Sequence, residues 1–319
     1  MTSIAKVGVV TVTYNSGRVL DDFLVSLKAQ VGVDVHLYAV DNASSDDTLA
    51  KLSRYSAENA VTTIANSGNE GVASGNNQGT VAALADGCDW VLLLNNDTVF
   101  GPDVLASLVR SAEKNQLNIL SPLIEATEPA GSIWYLSGVI SPYKGMWAKH
   151  LRMGEPLVGP YPDVMPVDYA STCALLIRPS VFESVGLMDP VYFVYGDDVD
   201  FCIRATRAGF QYAVAGDVKI LHKASSITGA FTDPFAVRWV TRNWAVVARR
   251  HCSPVQRVSG SVYMAAWTLA RFAARRENFT VLKGRLRAFR EGWTLNLSSV
   301  PPRLDNPNID RGVIPNRVR

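Results

Sequence analysis

Short apolar, β-branched runs alternate with stretches of helical period through the opening third of the chain. Residues 7–13, 35–40, 61–65 and 90–94 are apolar runs of strand length. Between them, residues 19–30, 46–55 and 75–85 place apolar side chains at helical spacing, the middle one opened by Asp and Ser caps. This alternation predicts an α/β fold, a mostly parallel sheet with helices on both faces. Ligands bind beyond the carboxyl ends of the strands in such sheets. The polar clusters fall there: Thr13-Tyr14-Asn15, Asp41-Asn42, residues 66–69 and Asn95-Asn96-Asp97.

Periodicity fades over residues 122–166, which are rich in Pro, Gly and aromatics (Trp134, Tyr135, Trp147) and read as an irregular insertion with a hairpin. Regular structure resumes with a strand at 174–177, a short helix at 179–185 and a helix at 199–208 closed by Gly209. Short strands follow at 212–214 and 218–221. From Pro234 the pattern is helical, interrupted at Pro254, until a Pro- and Asn-rich tail after Val300. There is no internal repeat.

Composition narrows the class. With 48% hydrophobic and 19% charged residues the chain is that of a folded protein. Its four cysteines are far apart without Cys-x-x-Cys spacing, which favours reduced thiols and a cytoplasmic setting. The first apolar run lacks a cleavage-like site, and no stretch reaches the roughly 18 to 20 apolar residues of a membrane span. The net charge of +2 conceals an asymmetry. Of 31 Lys+Arg and 29 Asp+Glu, residues 235–319 hold 16 and 4, leaving 15 and 25 for residues 1–234. A basic tail of this size faces something anionic: lipid headgroups, the acidic front of its own chain, or a partner. No nucleic-acid motif accompanies the charge.

Three constellations carry chemistry. In Leu-Leu-Leu-Asn95-Asn96-Asp97 a buried strand delivers polar residues to the sheet's edge, where Asp97 either starts a turn or holds a divalent cation against phosphate oxygens. In Gly196-Asp197-Asp198-Val199-Asp200 three carboxylates sit within four residues. A capped, solvated helix start explains part of that cluster. The aromatic run before it, residues 192–195, would wall a pocket in which a carboxylate serves as general base. His222 closes an apolar strand and is either structural or a ligand.

Taken in order, strand–Tyr-Asn, strand–Asp-Asn-Ala-Ser-Ser-Asp, Asn-Glu-Gly-Val-Ala-Ser-Gly-Asn-Asn-Gln-Gly, Leu-Asn-Asn-Asp, Asp-Asp-Val-Asp and strand–His resemble the family 2 glycosyltransferases. The likeness runs over about residues 6–250 and is nearest to bacterial rhamnosyl- and galactofuranosyl-type transferases of surface polysaccharide. It implies a GT-A fold, a nucleotide-diphospho-sugar donor (dTDP-rhamnose or UDP-hexose type), a Mg²⁺ or Mn²⁺ ion, and inversion at the anomeric carbon. By that resemblance Thr13 and Tyr14 pack against the base, and Asp41 binds base or ribose. Asn69, Gly71 and Asn77 line the donor, with Asn95 and Asn96 beside it. Asn95-Asn96-Asp97 occupies the place of the Asp-x-Asp motif with Asn first, which leaves Asp97 as its one carboxylate. His222 corresponds to a further metal ligand. Asp197-Asp198 matches the acidic pair whose second member is the base, and Asp197 and Asp200 orient acceptor or loop. Trp134, Tyr135 and Trp147 either stack on acceptor sugars or fill a small second core.

The same reading divides the chain into a catalytic domain, 1–228 (donor half 1–120, acceptor half 121–228), and a basic helical region, 229–319. That region, with Trp239 and Trp244 among its arginines, is either a peripheral membrane anchor or an appendage packed on the catalytic domain or on a second copy in a homo-oligomer. An anchor would suit a polyprenyl-linked glycan acceptor on the inner face of the cell membrane. A dinucleotide oxidoreductase lacks its Gly-x-Gly-x-x-Gly here. A non-catalytic nucleotide-sugar or glycan binder remains the alternative, against which the paired Asp197-Asp198 argues.

Overall fold

The computed structural model describes residues 4–223 and 233–297. The boundary expected at 228–229 and the tail after Val300 lie outside these residues. The opening third alternates as expected: β1 (Lys6–Thr13), α1 (Gly17–Lys28), β2 (Asp34–Asp41), α2 (Thr48–Ser56), β3 (Val61–Ala65), α3 (Gly71–Ala85) and β4 (Trp90–Leu94). Next come β5 (Thr98–Phe100), α4 (Val104–Lys114), β6 (Ile119–Ala126), β7 (Ser132–Tyr135), β8 (Ser137–Ser141), β9 (Trp147–Leu151) and β10 (Met165–Val167). β11 (Ala174–Ile177), α5 (Pro179–Val185), α6 (Asp197–Arg207) and β12 (Tyr212–His222) complete the sheet, and α7 (Pro234–His251), α8 (Pro254–Ala273) and α9 (Phe279–Thr294) follow.

The main sheet runs β10-β12-β6-β11-β4-β1-β2-β3. β3, β2, β1 and β4 are parallel, as are β6 and β12, whereas β11 lies antiparallel between β4 and β6. The sheet is therefore mixed. β4 is buried at every position, the near-continuous apolar run of a strand covered on both faces. Helix α3 lies so close to β1 that a Cβ at Gly75 would fall 2.7 Å from Val12, and one at Gly79 2.5 Å from Val10. Each interior glycine costs about 1 kcal/mol of helix propensity, which this close packing offsets.

The expectation of an irregular insertion from residue 122 needs correction. α4 and β6 were not anticipated, and β6 is a fully buried internal strand that contains Pro122. Pro122 is tolerated because its partner Ala215 begins a bulge in β12, where the ladder register shifts between Ala215 and Lys219. The same bulge joins into one strand the two short ones expected at 212–214 and 218–221. The expected hairpin is present as the two-stranded β8–β9 sheet.

The C-terminal helices share the body of the molecule. Val246, Val247 and Ala248 of α7 belong to the main core, and Trp244, Ala245 and Met264 nucleate a second cluster with Trp147, Trp267, Phe289 and Trp293. Pro254 occupies the first turn of α8 behind a Ser253–Gln256 capping box, where its missing N–H costs nothing. The four cysteines are buried and unpaired. Among the described residues no helix is long and apolar enough to cross a membrane.

Candidate active site

At the carboxyl ends of β1 and β2 the structure spends polar groups on one another. Asp41 is fully buried and accepts hydrogen bonds from Thr13 Oγ1 (2.8 Å), Ser44 Oγ (2.5 Å) and the Ser44 amide (2.9 Å). Thr13 is sealed as well, so its hydroxyl serves Asp41 and not a ligand directly, whereas Tyr14 is 45% exposed. Asn42, Asn66, Asn69 and Gln78 form an amide network beside them.

Beyond β4, Asn95 is exposed, while Asn96 is buried and donates from Nδ2 to the Val12 carbonyl at 2.6 Å. That bond ties the loop to β1 and turns Asp97 toward β12. Asp97 Oδ1 lies 3.0 Å from His222 Nε2, yet takes no well-aligned hydrogen bond, and His222 Nδ1 has none either. The Asp97 carboxylate and the His222 imidazole, brought together at 3.0 Å, are groups of the kind that ligate one divalent cation. Burial lowers the imidazole pKa, but Cys173 and Asp97 raise it above its ordinary value, so a cation binding there would displace the proton. Burial pushes the Cys173 thiol up and keeps it uncharged at neutral pH, so Asp97 is the effective partner. Among the described residues no group of three or more His, Cys, Asp or Glu converges on one point. Asp97 and His222 thus fit a divalent cation that completes its shell with phosphate and water.

The second half of the site is the segment leading into α6. Phe193 and Tyr195 adopt left-handed backbone (φ 61° and 63°), a conformation worth about 1–3 kcal/mol of strain for non-glycine residues. The structure holds it from two sides. Asn243 of α7 donates from Nδ2 to the carbonyls of Tyr192, Val194 and Tyr195 at 2.7–2.8 Å. From α3, the Val72 amide donates to the Phe193 carbonyl at 2.6 Å. Asn243 escaped the sequence reading; its one signal is the polar pair Arg242-Asn243 inside an apolar helical stretch.

This explains two residues assigned to the donor. Gly71, at φ +83°, lets α3 start against Phe193, whose carbonyl would lie 2.5 Å from a Cβ. Asn77 is buried and its amide clamps the Met188 backbone, donating to the carbonyl (2.7 Å) and accepting from the N–H (2.9 Å). Both position the 187–196 segment instead of lining the donor. Asn69 stays exposed, with Oδ1 accepting from the Gly71 amide.

Asp198 is partly buried, with Oδ2 accepting from Tyr169 Oη and Oδ1 from the Val199 amide at 2.8 Å. A continuous set of contacts joins it to the cation pair. Tyr169 packs on His150 (5.8 Å), His150 on Trp134 (4.9 Å), and Trp134 edge-on to His222 (4.4 Å). His150 was not anticipated; its Nδ1 lies 3.2 Å from the Trp134 carbonyl, and burial lowers its pKa, keeping it neutral.

Three acceptor assignments need correction. Tyr135 is fully buried with its hydroxyl on the Tyr169 carbonyl, so it fills the core. Trp147 packs on Trp267 in the second cluster. Asp200 is buried among Arg204, Arg250, His251 and Tyr192, an ionic joint between α6 and α7 out of an acceptor's reach.

Asp197 is buried with Oδ2 unpartnered, and desolvation, then the Asp198 charge, push its pKa up to about 8. Burial raises Asp198 too. Because the folded pKa of Asp197 exceeds the ordinary 3.8, its stabilising contribution is complete below that value and is lost as pH rises toward about 8. Each pH unit inside the window costs about 1.4 kcal/mol. Asp197→Asn should therefore match the parent's melting temperature near pH 4 and melt several degrees higher at pH 8, read by circular dichroism. Parallel pH profiles for the two proteins would assign the slope to another group.

The sheet order is that of the GT-A fold, with Asp97 following its fourth strand. The chain belongs to glycosyl transferase family 2, whose model matches residues 8–181. It is 30% identical over 243 residues to the N-acetylglucosaminyl-diphospho-decaprenol L-rhamnosyltransferase of Mycobacterium tuberculosis, covering 69% of this chain and 77% of that one. Galactofuranosyltransferase GlfT1 of the same organism is 28% identical over 219 residues (68% and 70% covered). A solved structure of GalNAc-T7 with UDP, GalNAc and Mn²⁺ superposes with TM-score 0.64 at 16% identity, over 91% of this chain but only 56% of that longer one.

Proposed function

We propose that this protein is an inverting, divalent-cation-dependent glycosyltransferase of cell-surface polysaccharide synthesis, acting on the cytoplasmic side. It would move a sugar from a dTDP-rhamnose- or UDP-hexose-type donor to a hydroxyl of a lipid-linked glycan. The observation that carries this reading is the unbroken path from the Asp97–His222 pair to Asp198 at one end of the sheet. The family relatives support the chemistry and the lipid-linked class of acceptor.

Asp97 and His222 would hold the cation, which when bound neutralises charge developing on the leaving diphosphate. Tyr14, exposed beside the Asp41 loop, would cover the nucleotide base. Asp41 shapes that loop through Ser44 and Thr13. Asp198 removes the proton of the attacking hydroxyl, and its burial-raised pKa brings it nearer the operating pH, where a general base works best. Displacement in one step requires no protein nucleophile. Of the three aromatics expected at the acceptor, Trp134, beside His222, would offer its ring to a sugar face.

The test is a thermal-shift screen of nucleotide sugars with Mn²⁺ or Mg²⁺, followed by transfer assays with and without chelator. A donor at about 100 times its Kd stabilises the fold by about 2.7 kcal/mol. Chelation should abolish transfer, and His222→Ala should raise the half-activating metal concentration at least tenfold. Turnover that survives chelation would remove the role given to Asp97 and His222. Donor binding without release of nucleoside diphosphate at any metal concentration would identify a non-catalytic binder.

A further inference from the structure

Helix α8 presents to solvent a face that the other described residues leave uncovered. Val255, Val258, Val262 and Leu269 are each more than half exposed, Phe272 follows at 37%, and their spacing of three, four, seven and three residues keeps them on one side of the helix. Ala265, Ala266, Ala270 and Ala273 fill the exposed positions between and beside them. The opposite side, with Gly260, Met264 and Thr268, is buried against the protein. Across nearly the whole length of α8 the exposed face therefore carries no charge.

The apolar strip continues onto α9. The rings of Phe272 and Phe279 meet at 6.5 Å, and Phe279 and Leu286 are both 60% exposed. There the surface turns basic: Arg275, Arg276, Lys283, Arg287 and Arg290 are exposed around the two apolar side chains. The acids of this region are spent elsewhere. Glu277 is buried between Arg271 and Arg285, and Glu291 pairs with Arg238 and Arg242. These two glutamates offset only part of the basic charge, and among the described residues Arg275, Arg276, Lys283, Arg287 and Arg290 stand exposed beside the apolar strip. Arg275 and Arg276, with Phe272 and Asn278, also line an open recess at the α8–α9 turn.

We propose that this α8–α9 face docks on an anionic lipid surface, with the α8 strip at the acyl boundary and the cations on headgroup phosphates. Exposed apolar area flanked by exposed cations is what binds at that interface. A second copy meeting it face to face through this same surface fits less well, because among the described residues it would bring an equally cationic rim. The inference rests on this surface and does not depend on the transfer reaction.

The experiment is co-sedimentation of the full chain with phosphatidylcholine vesicles, with and without phosphatidylglycerol, over a salt series. Binding is expected only with phosphatidylglycerol and should weaken as salt rises. At about fivefold per cation, Arg287→Gln with Arg290→Gln should weaken it about thirtyfold. Val258→Asp with Leu269→Asp should abolish it, and both variants should melt as the parent does, since all four side chains are exposed. Failure to bind, or equal binding by the variants or to phosphatidylcholine alone, overturns the proposal. A dimer by light scattering that Val262→Asp dissociates would overturn it in favour of self-association. Transfer to a soluble acceptor without vesicles should be unchanged in these variants, which separates this surface from the active site.

Discussion

Asp198→Asn should lower transfer by about 10²- to 10⁴-fold while leaving donor affinity and melting temperature near those of the parent. The substitution is isosteric: its Oδ1 can still accept from the Val199 amide while its Nδ2 donates to the Tyr169 hydroxyl oxygen, so the pocket keeps its shape. What disappears is the capacity to take a proton. Asp197 cannot substitute, because it is buried, and burial, the larger cause of its raised pKa, persists when the Asp198 charge is removed. The measurement is steady-state release of nucleoside diphosphate together with donor titration by thermal shift. A loss confined to KM would make Asp198 an acceptor-binding group, and full activity would move the base elsewhere. Tyr169→Phe is the companion variant. It removes the hydroxyl that lowers the Asp198 pKa against its burial, so the pH at which activity turns on should move upward.

The parts of this site that are legible in sequence are those where a strand ends. Residues 90–94 are apolar without a break, so the Asn95-Asn96-Asp97 that follows must emerge at the sheet's edge. Asp41 and His222 close their strands by the same logic. Residues whose partners are distant in sequence were not legible. Asn77 and Gly71 look like lining of a donor pocket because they sit in a Gly- and Asn-rich helix start. Their meaning comes from Met188 and Phe193, more than a hundred positions away. β6 was hidden because Pro122 argues locally against an internal strand, and only the bulge in β12 makes it acceptable. Tyr135 and Trp134 are neighbours of one composition and opposite fates, since alternation along β7 buries one and sets the other against His222.

Asp200 offers the largest expected change in stability, from a residue that sequence placed at the acceptor. Tyr192 Oη donates to its Oδ1 at 3.1 Å and Arg204 Nε to its Oδ2 at 2.8 Å. His251 Nε2 lies 2.7 Å from Oδ1, while its Nδ1 faces the Arg207 guanidinium at 3.0 Å. A guanidinium only donates, so Nδ1 accepts and the Nε2 proton goes to Asp200. Burial opposes the carboxylate charge, yet the His251 hydrogen bond and the Arg204 charge hold Asp200 well below the usual range. Removing one member of such a buried cluster leaves cations without their counter-charge and costs about 3–5 kcal/mol. Asp200→Ala should therefore lower the chemical-denaturation midpoint strongly at neutral pH. The folded pKa is depressed, so the contribution is complete above the ordinary 3.8 and is lost as pH falls below it. The gap between parent and variant should accordingly narrow on acidification, opposite in sense to Asp197→Asn, whose advantage grows as pH rises. Because α6 carries Asp198 on the turn that Asp200 anchors to α7, the variant should also lose activity at temperatures where it is still folded. A neutral-pH midpoint within experimental error of the parent would show that α6 is held by its apolar contacts alone.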